Sequence, residues 1–487
     1  VRWLERSYNT AQLKGEHEFH LFSLNWTTAY TLSEQLEPDL RFFTSDYLIT
    51  PNDTIHNINT AAYPAPSRYY RDMNENNYDS KADISIPFEN WNGINSKVKV
   101  GAAYSFKDRD FNEKRFDFRG GDLNAVDGDI DQYFSDINIG ASTNGVFVED
   151  ATEIKNSYLG EQIISAAYAM IDLPLTERLY FITGARIETT FITIQSKDLD
   201  KDAAEVNEID ILPSLNLNYD VTEKTKIRLS TSQTIARPTF RELAPYAVFD
   251  FVGGYIIQGN PNLNRTQIQN FDLRFETYPR RGEYFSISAF YKMFNEPIAL
   301  AIEPRAANDE IKYVNLPNAS VYGLEIEIKK DLDILGSHFK NFKVGANASV
   351  IFSESDIEPA ELSARKEIDP NVDEKRPMYG QSPYLFNAFS SYENDSLGLS
   401  INLSLNVYGE RLAIVSKGAL PDVYEQPAPS LDLKVRKKLS EKLFISAKAN
   451  NLLDSEMRLT HTFRNEEYDF SSYQSGRTYS IGISFRL

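Results

Sequence analysis

Two acidic stretches of the sequence carry carboxylates at the alternating spacing found in calcium-binding loops. The first contains Asp127, Asp129 and Asp131, and the second is the run Asp198–Asp202. A helix-flanked calcium loop needs glycine at its sixth position and glutamate at its twelfth. Neither stretch meets this requirement, so that motif is excluded. Solvated acidic loops are the main interpretation, and an irregular Ca²⁺ site at Asp127, Asp129 and Asp131 is the alternative.

A second candidate site is the aromatic segment 238–262. Aromatic rings and an arginine on an exposed loop could grip a sugar, a siderophore or a peptide. The alternative is a loop that packs on itself and closes against its support, because long loops bury side chains to stay ordered. The candidate binding residues are Phe240, Arg241, Tyr246, Phe249, Phe251 and Tyr255.

The sequence lacks the patterns expected of a catalytic centre. It contains no cysteine, no glycine-rich phosphate loop after a strand and no G-x-S-x-G elbow. His17 and His20 are three residues apart, which puts them on opposite faces of a strand. His461 is the histidine that we would test for a catalytic role. We therefore predict that the protein is not an enzyme and that it has no resident cofactor.

Composition narrows the class of protein. The net charge is −19 over 487 residues, which argues against nucleic acid as a partner because phosphate binding needs clustered basic residues. No uninterrupted apolar run approaches the ~18 residues of a membrane helix. The 30 Phe and 28 Tyr residues suit aromatic girdles at two membrane surfaces, but composition alone favours an aromatic-rich soluble β protein because such proteins are commoner. The strand alternation and the loop lengths described next reverse this preference.

Hydrophobic periodicity predicts long β-strands, most clearly in the hairpin between Gly259 and Ile298. Phe271, Leu273 and Phe275 alternate with polar residues, and a second alternating arm follows the polar turn Arg280–Glu283. Side chains on a strand point to opposite faces with period two, so these arms have one apolar and one mostly polar face. The long arms, the short turn and the long flanking loops are typical of a transmembrane β-barrel.

The same pattern recurs along the chain and predicts about seventeen antiparallel strands, joined alternately by short turns and long loops. In barrels of the bacterial outer membrane, the short turns face the periplasm and the long loops face outside. Early examples are strands at Leu21–Leu32 and Val98–Phe106, with the longest loop at Lys107–Asn156. The last loop is predicted at Asn450–Ser475. The predicted number of strands is odd, whereas a complete barrel has an even number, and the first residues already resemble a strand within the sheet. We therefore expect that the chain is incomplete at its N-terminus.

The last predicted strand, Thr478–Leu487, illustrates the lipid-facing pattern. Its other face carries small polar residues and Arg486, which suits a wet lumen. Because every backbone group in lipid must be paired, such strands require a closed barrel. The residues assigned to the lipid-facing face and to barrel assembly are Tyr479, Ile481, Ile483, Phe485 and Leu487.

Several segments together resemble the barrel of TonB-dependent outer-membrane receptors of the kind abundant in Bacteroidetes. The resemblance covers essentially the whole chain and rests on the order and spacing of these segments. Family strands usually end in an aromatic residue, whereas this one ends in Leu487 with Phe485 two residues before it. The matching segments are Gln233–Leu243 (QTIARPTFREL), Gly259–Leu263 (GNPNL), Phe290–Lys292 (FYK), Asn315–Glu327 (NLPNASVYGLEIE) and Asn450–Asp454 (NNLLD).

This resemblance implies an all-β fold and a location in the bacterial outer membrane. A family barrel has about 22 strands, so residues 1–487 would be its C-terminal part, without the plug domain and the first strands. The resemblance also implies uptake of a scarce nutrient (a siderophore, cobalamin, a glycan or a peptide) with energy from TonB. The implied partners are membrane lipid, TonB through the N-terminal part that is not in this sequence, and a surface lipoprotein or other complex subunits.

Two other functions stay open at this point. A passive porin would be a complete, even-stranded barrel of ~16–18 strands with a charged constriction. A structural or secretion-linked barrel subunit would use its long loops to bind other proteins. No residue selects the cargo.

Overall fold

The computed structural model describes residues 2–51, 53–58, 65–140, 145–249, 256–303, 310–368, 370–418, 420–463 and 466–486; the side chains of Val248 and Phe249 are not described. Within these ranges, no helix combines the length and the apolar composition needed to cross a membrane.

Antiparallel strands dominate the chain, and helices are few and short. The strands are β1 Glu5–Glu18, β2 Ser23–Phe42, β3 Asp46–Ile49, β4 Thr54–Asn57, β5 Ser67–Glu89, β6 Asn95–Gly120, β7 Val146–Asp150, β8 Tyr158–Pro174, β9 Leu179–Ser196, β10 Ala204–Thr222, β11 Thr225–Ala236, β12 Ala247–Phe249, β13 Ile256–Gln258, β14 Thr266–Thr277, β15 Tyr284–Asn295, β16 Ile298–Glu303, β17 Glu310–Asn315, β18 Ala319–Asp331, β19 Phe342–Asp356, β20 Lys375–Arg376, β21 Tyr384–Asn394, β22 Leu399–Tyr408, β23 Arg411–Ser416, β24 Val423–Glu425, β25 Ser430–Lys438, β26 Leu443–Asn450, β27 Met457–Phe463, β28 Glu466–Tyr473 and β29 Thr478–Phe485. The α-helices are α1 Ile130–Tyr133, α2 Phe240–Leu243 and α3 Pro359–Ile368, with 3₁₀ turns at Asn124–Val126, Ile154–Asn156, Leu332–Leu335 and Ser337–Phe339.

Nineteen of the described strands form one sheet. Two of them, β7 and β20, are short side branches on β6 and β19, so seventeen long strands form the wall. Each wall strand pairs with its neighbours along the chain, and short turns alternate with long connections. The predicted number of strands and the predicted alternation are therefore confirmed. Among the described residues, β1 pairs only with β2, and β29 only with β26.

The register of the wall separates an apolar outer face from a polar inner face. Leu229, Leu273, Ala289, Leu324 and Val350 are consecutive partners across five strands. We call this outward-facing band of apolar rows the belt.

The belt ends towards the long loops in an aromatic row. Phe271, Tyr291, Tyr322 and Phe352 are consecutive partners across β14, β15, β18 and β19. Their ring centroids are 6.4, 6.4 and 5.5 Å apart. Aromatic rings favour the interface between hydrocarbon and water, so this row marks the outer edge of the belt.

Several strands continue well beyond their predicted ends, so the predicted loop boundaries were wrong there. The strand predicted at Leu21–Leu32 runs to Phe42, and the strand predicted at Val98–Phe106 runs to Gly120. Above the belt these strands no longer alternate apolar and polar residues. Ion pairs between facing strands accompany the pairing there, as between Arg109 and Glu75, whose Nε and Oε2 atoms are 2.7 Å apart.

The long connections also contain strands that the sequence interpretation treated as loop. Eight of them form a second sheet, in the order β12-β13-β17-β16-β23-β24-β27-β28. We call it the outer sheet. Its two apolar clusters include Ala301, Val415, Ile302 and Val423, all nearly inaccessible to solvent. Parallel pairing of β16 with β23 joins segments that lie far apart in the chain, so local periodicity did not reveal it.

Candidate functional site

The predicted aromatic binding segment begins with a short helix whose N-terminus is capped by its own residues. The Thr239 hydroxyl accepts from the Glu242 N–H at 3.3 Å, and the Thr239 N–H donates to the Glu242 carboxylate at 2.7 Å. This capping box satisfies helix-end groups that would otherwise be unpaired. It fixes α2 so that Phe240 and Leu243 are buried against the inner face of the wall.

The Phe240 ring packs into a pocket of the inner wall beside Gly160. A Cβ atom at Gly160 would lie 2.9 Å from Phe240 Cδ2 and 3.0 Å from Ile194 Cδ1, so glycine is needed there. The Arg109 guanidinium lies over the Phe240 ring, 5.2 Å from its centroid, as a cation–π contact. Phe240 is therefore a packing residue in this structure.

Tyr246 attaches the same segment to the wall at a second point. Its ring packs against Phe111 with centroids 4.9 Å apart, and its hydroxyl donates to Glu113 Oε2 at 3.0 Å. Burial raises the pKa of Tyr246 well above its ordinary value. The phenol therefore stays protonated near neutral pH and remains a hydrogen-bond donor.

The acceptor of that bond belongs to a buried ionic row across three strands. Glu37, Arg71 and Glu113 are directly aligned partners on β2, β5 and β6. Arg71 donates to Glu113 at 2.7 Å and to Glu37 at 3.1 Å, and each carboxylate side chain is only 2% exposed. Arg2 also contacts Glu37, at 2.9 Å from its Nε, and Asn156 donates to Glu113 at 2.8 Å. Buried charges need such complete sets of partners.

Arg241 stabilises the segment from within. It donates to the carbonyls of Tyr246 at 3.1 Å and Ile257 at 2.9 Å. A Cβ atom at Gly259 would lie 1.9 Å from the Ala244 carbonyl oxygen, which explains the glycine at this close backbone approach. We call residues 237–249 together with 256–265 the docked segment.

The structure thus brings together three of the six predicted binding residues, Phe240, Arg241 and Tyr246. The packing alternative describes all three in this structure. Phe249 lies in β12 without a described side chain, and Phe251 and Tyr255 lie outside the described residues. Their role in ligand binding stays a prediction.

The row Glu37–Arg71–Glu113 was missed at the sequence level. Its signal was the run of charged residues at alternate positions Glu113, Arg115 and Asp117, which is the strand period in polar form. That segment was assigned to a loop, so the alternation was not used.

Below the docked segment, the inner face presents a polar recess of about 590 Å³. Arg186 and Arg237 both pair with Glu188, and Arg237 Nε also donates to Thr190 at 2.8 Å. Arg237 comes from the QTIARPTFREL segment. The arrangement offers charges and hydrogen bonds to a polar partner inside the barrel.

The predicted calcium residues differ in their surroundings. Asp129 caps α1 by accepting from the N–H groups of Asp131 and Gln132, and the Asp127 side chain is almost fully exposed. In the described part of the chain, no group of three or more acidic or histidine side chains is placed to hold a metal. His461 stacks on Tyr468 at 5.8 Å in the outer sheet.

The profile of the outer membrane protein beta-barrel family matches residues 126–486, about three quarters of the chain. The chain belongs to this family. It is therefore an outer-membrane β-barrel protein, as predicted, and the family is not one of enzymes. No curated protein matches the sequence.

Solved structures show the same barrel fold. The ferric yersiniabactin uptake receptor FyuA from Yersinia pestis is 12% identical with a TM-score of 0.60, over 100% of this chain and 62% of that one. The siderophore receptor PiuA from Acinetobacter baumannii is 11% identical with a TM-score of 0.65, over 99% and 65%. The pyoverdine receptor FpvA from Pseudomonas aeruginosa is 14% identical with a TM-score of 0.62, over 100% and 62%.

These matches confirm the predicted resemblance to the receptor barrels at the level of the fold. The present outer-membrane barrel chain spans a little over three fifths of the length of these solved chains.

Proposed function

We propose that the chain forms the wall and outer mouth of a receptor that imports a scarce nutrient through the outer membrane with energy from TonB. The observation that carries the proposal is the outer sheet. Passive diffusion requires only an open pore, whereas an ordered sheet with its own apolar clusters provides a shaped surface on which a cargo can be held.

The packing of the docked segment on the inner wall supports the same function. Its aromatic side chains cover part of the inner wall, so a solute that enters from outside meets the docked segment before the polar recess around Glu188. A route that is partly covered agrees better with uptake that requires energy than with free diffusion down a concentration gradient.

We further propose that residues 1–487 are the C-terminal part of the receptor barrel, and that the plug and first strands lie elsewhere in the protein. The shared length with the solved receptors supports this division. The polar recess would then face the plug, with Arg186, Glu188 and Arg237 offering charged contacts.

A ferric siderophore is the first cargo class to test, because the similar solved structures include receptors for ferric yersiniabactin and pyoverdine. Cobalamin, glycans and peptides are the further classes. The experiment measures accumulation of radiolabelled cargo by cells with the full-length protein and by cells in which it is deleted.

Uptake should require the protein and should fall to background when a protonophore collapses the inner-membrane proton gradient. Uptake that requires the protein but is unchanged by the protonophore would identify a passive pore. If deletion leaves the uptake of every cargo class unchanged while other outer-membrane proteins are lost from a complex, the chain is a structural subunit.

A further inference from the structure

The lipid-facing surface carries a groove that crosses the aromatic row. Two adjoining cavities of about 470 and about 320 Å³ lie on the outside of the wall, and Gln233 and Gln269 line both. The larger cavity lies on the long-loop side of the aromatic row, and the smaller one lies at the level of Phe271. The groove therefore spans the boundary between headgroups and hydrocarbon.

A break in the sheet explains why there is a groove at this place. The ladder between β10 and β11 stops at Ser214 and Ser232, whereas β10 continues to pair with β9 as far as Ala204. The next residue of β10 towards the loops is Pro213, which has no N–H to donate to a neighbouring strand. The two strands separate there, and the outer surface is indented.

The smaller cavity suits a hydrocarbon chain. Pro213, Leu215 and Phe271 supply apolar surface, and the short side chains of Thr183 and Thr231 leave space between them. Thr231 is the direct cross-strand partner of Phe271, so this space lies in the aromatic row itself. A flexible acyl chain can fill such an irregular apolar recess.

The larger cavity suits a headgroup rich in hydroxyl groups. Gln233, Gln267 and Gln269 line it, and within the described part of the chain their side-chain amides make no hydrogen bond to protein. Each amide can both donate and accept, which matches a hydroxyl group that does the same. Tyr291 adds an aromatic face at the lower edge.

The charges of the larger cavity disfavour an anionic headgroup. Glu354 pairs with Lys375 at 2.8 Å, and Asp356 adds a further acid, so the cavity has one more carboxylate than ammonium group. A bare phosphate would be repelled by this arrangement. An uncharged sugar would not be.

We propose that this groove binds one outer-leaflet lipid with an uncharged sugar headgroup, which contacts the three glutamines while an acyl chain lies along Pro213 and Leu215. Because the lower half of the groove is apolar, the proposed ligand is a membrane lipid and not a free saccharide. This site is on the outside of the wall and is independent of cargo uptake.

The test places the full-length protein in phosphatidylcholine vesicles that contain digalactosyldiacylglycerol or phosphatidylglycerol as the guest lipid. Native mass spectrometry then counts the guest molecules retained after gentle detergent extraction. Two variants address the two halves of the groove, Gln233→Leu/Gln269→Leu and Thr231→Phe. The control is Asn207→Leu, an exposed outward-facing amide on β10 outside the groove. Heat-dependent gel mobility shows that each barrel is folded.

We expect one retained digalactosyldiacylglycerol in the parent and in N207L, and at least about a fivefold loss in both groove variants, which corresponds to about 1 kcal/mol. Equal retention in all folded variants would overturn the proposal, as would equal retention of phosphatidylglycerol. Displacement of the lipid by soluble galactobiose would show that the sugar alone is recognised, which also contradicts a membrane-lipid site.

Discussion

The same wall strands are stabilised in two different ways along their length. In the belt, rows such as Leu229–Leu273–Ala289–Leu324 face the membrane, and backbone pairing together with apolar contacts stabilises the sheet. Above it, rows such as Glu37–Arg71–Glu113 hold strands through buried charges. The difference shows that strand pairing continues beyond the segment in which apolar and polar residues alternate. The two regions should therefore be sensitive to different substitutions.

Removing the shared cation from the ionic row should have the largest effect. Arg71→Met leaves Glu37 and Glu113 buried without their common partner, and we expect a loss of about 3–5 kcal/mol in the free energy of unfolding. Urea unfolding in lipid vesicles, followed by tryptophan fluorescence, measures this loss. The triple variant Glu37→Gln/Arg71→Met/Glu113→Gln should regain much of it, and a triple variant as unstable as R71M would show that charge is not the cause.

A charge placed in the belt should come next. Leu324→Arg puts a guanidinium into hydrocarbon near the middle of the belt and should reduce stability by about 2–4 kcal/mol. Ser404→Arg is the matched control, because Ser404 is exposed on the inner face opposite Asp432. Equal losses in the two variants would contradict the assigned faces.

The hydrogen bond that joins the docked segment to the ionic row should have an intermediate effect. Tyr246→Phe removes the donor to the buried Glu113 carboxylate, and we expect a loss of about 1.5–3 kcal/mol. Tyr468→Phe removes a similar bond to Glu466 at an exposed position and should be nearly neutral. Urea unfolding of the two variants side by side decides whether burial makes the difference.

A smaller, pH-dependent effect is expected at the opposite, periplasmic end of the wall. Hydrogen bonds from Arg280 and Lys330 lower the pKa of Glu283 from 4.5 to about 2. A carboxylate with a lowered pKa stabilises the fold above pH 4.5, and this contribution declines as the pH falls towards 2. Glu283→Gln should therefore be less stable than the parent at neutral pH and should converge with it in acid, as thermal unfolding across pH would show. Asp395→Asn, which also removes one carboxylate from a turn, is the control for the change in net charge.

The smallest effect is expected at an exposed ion pair of the outer sheet. Arg458 contacts Glu467 at 2.9 Å and Asp469 at 2.8 Å, and solvent screens both contacts. Arg458→Gln should leave the urea midpoint unchanged within error. A loss of stability as large as that of R71M would contradict the expectation that buried charge rows contribute more to stability than exposed ones.

The sequence predicted the belt well because each belt strand carries its own period-two signal. The C-terminal strand was predicted at Thr478–Leu487 and is observed at Thr478–Phe485, with Leu487 outside the described residues. Its alternation agrees with the register, since Tyr479 and Ile481 face the same side as Ala449 and Ala447. The role of this face in barrel assembly stays a prediction.

The candidate site was predictable only in part, because its contacts join distant segments. The aromatic character of residues 238–262 was visible, and so was the choice between binding and packing. The acceptor of the Tyr246 hydroxyl is 133 residues earlier in the chain, and no local pattern links the two. The outer sheet was missed for the same reason.

The most direct test of the account is site-specific labelling in intact cells of the full-length protein, with any cysteine outside residues 1–487 replaced, because these residues contain none. Single cysteines at Leu199, Leu243 and Leu324 report on an exposed outer loop, the docked segment and the belt, and a membrane-impermeant maleimide probes each from outside. We predict rapid labelling at Leu199→Cys and protection at both Leu243→Cys and Leu324→Cys. Labelling of Leu243→Cys as fast as Leu199→Cys would contradict the docking of this segment against the inner wall, and labelling of Leu324→Cys would contradict the belt.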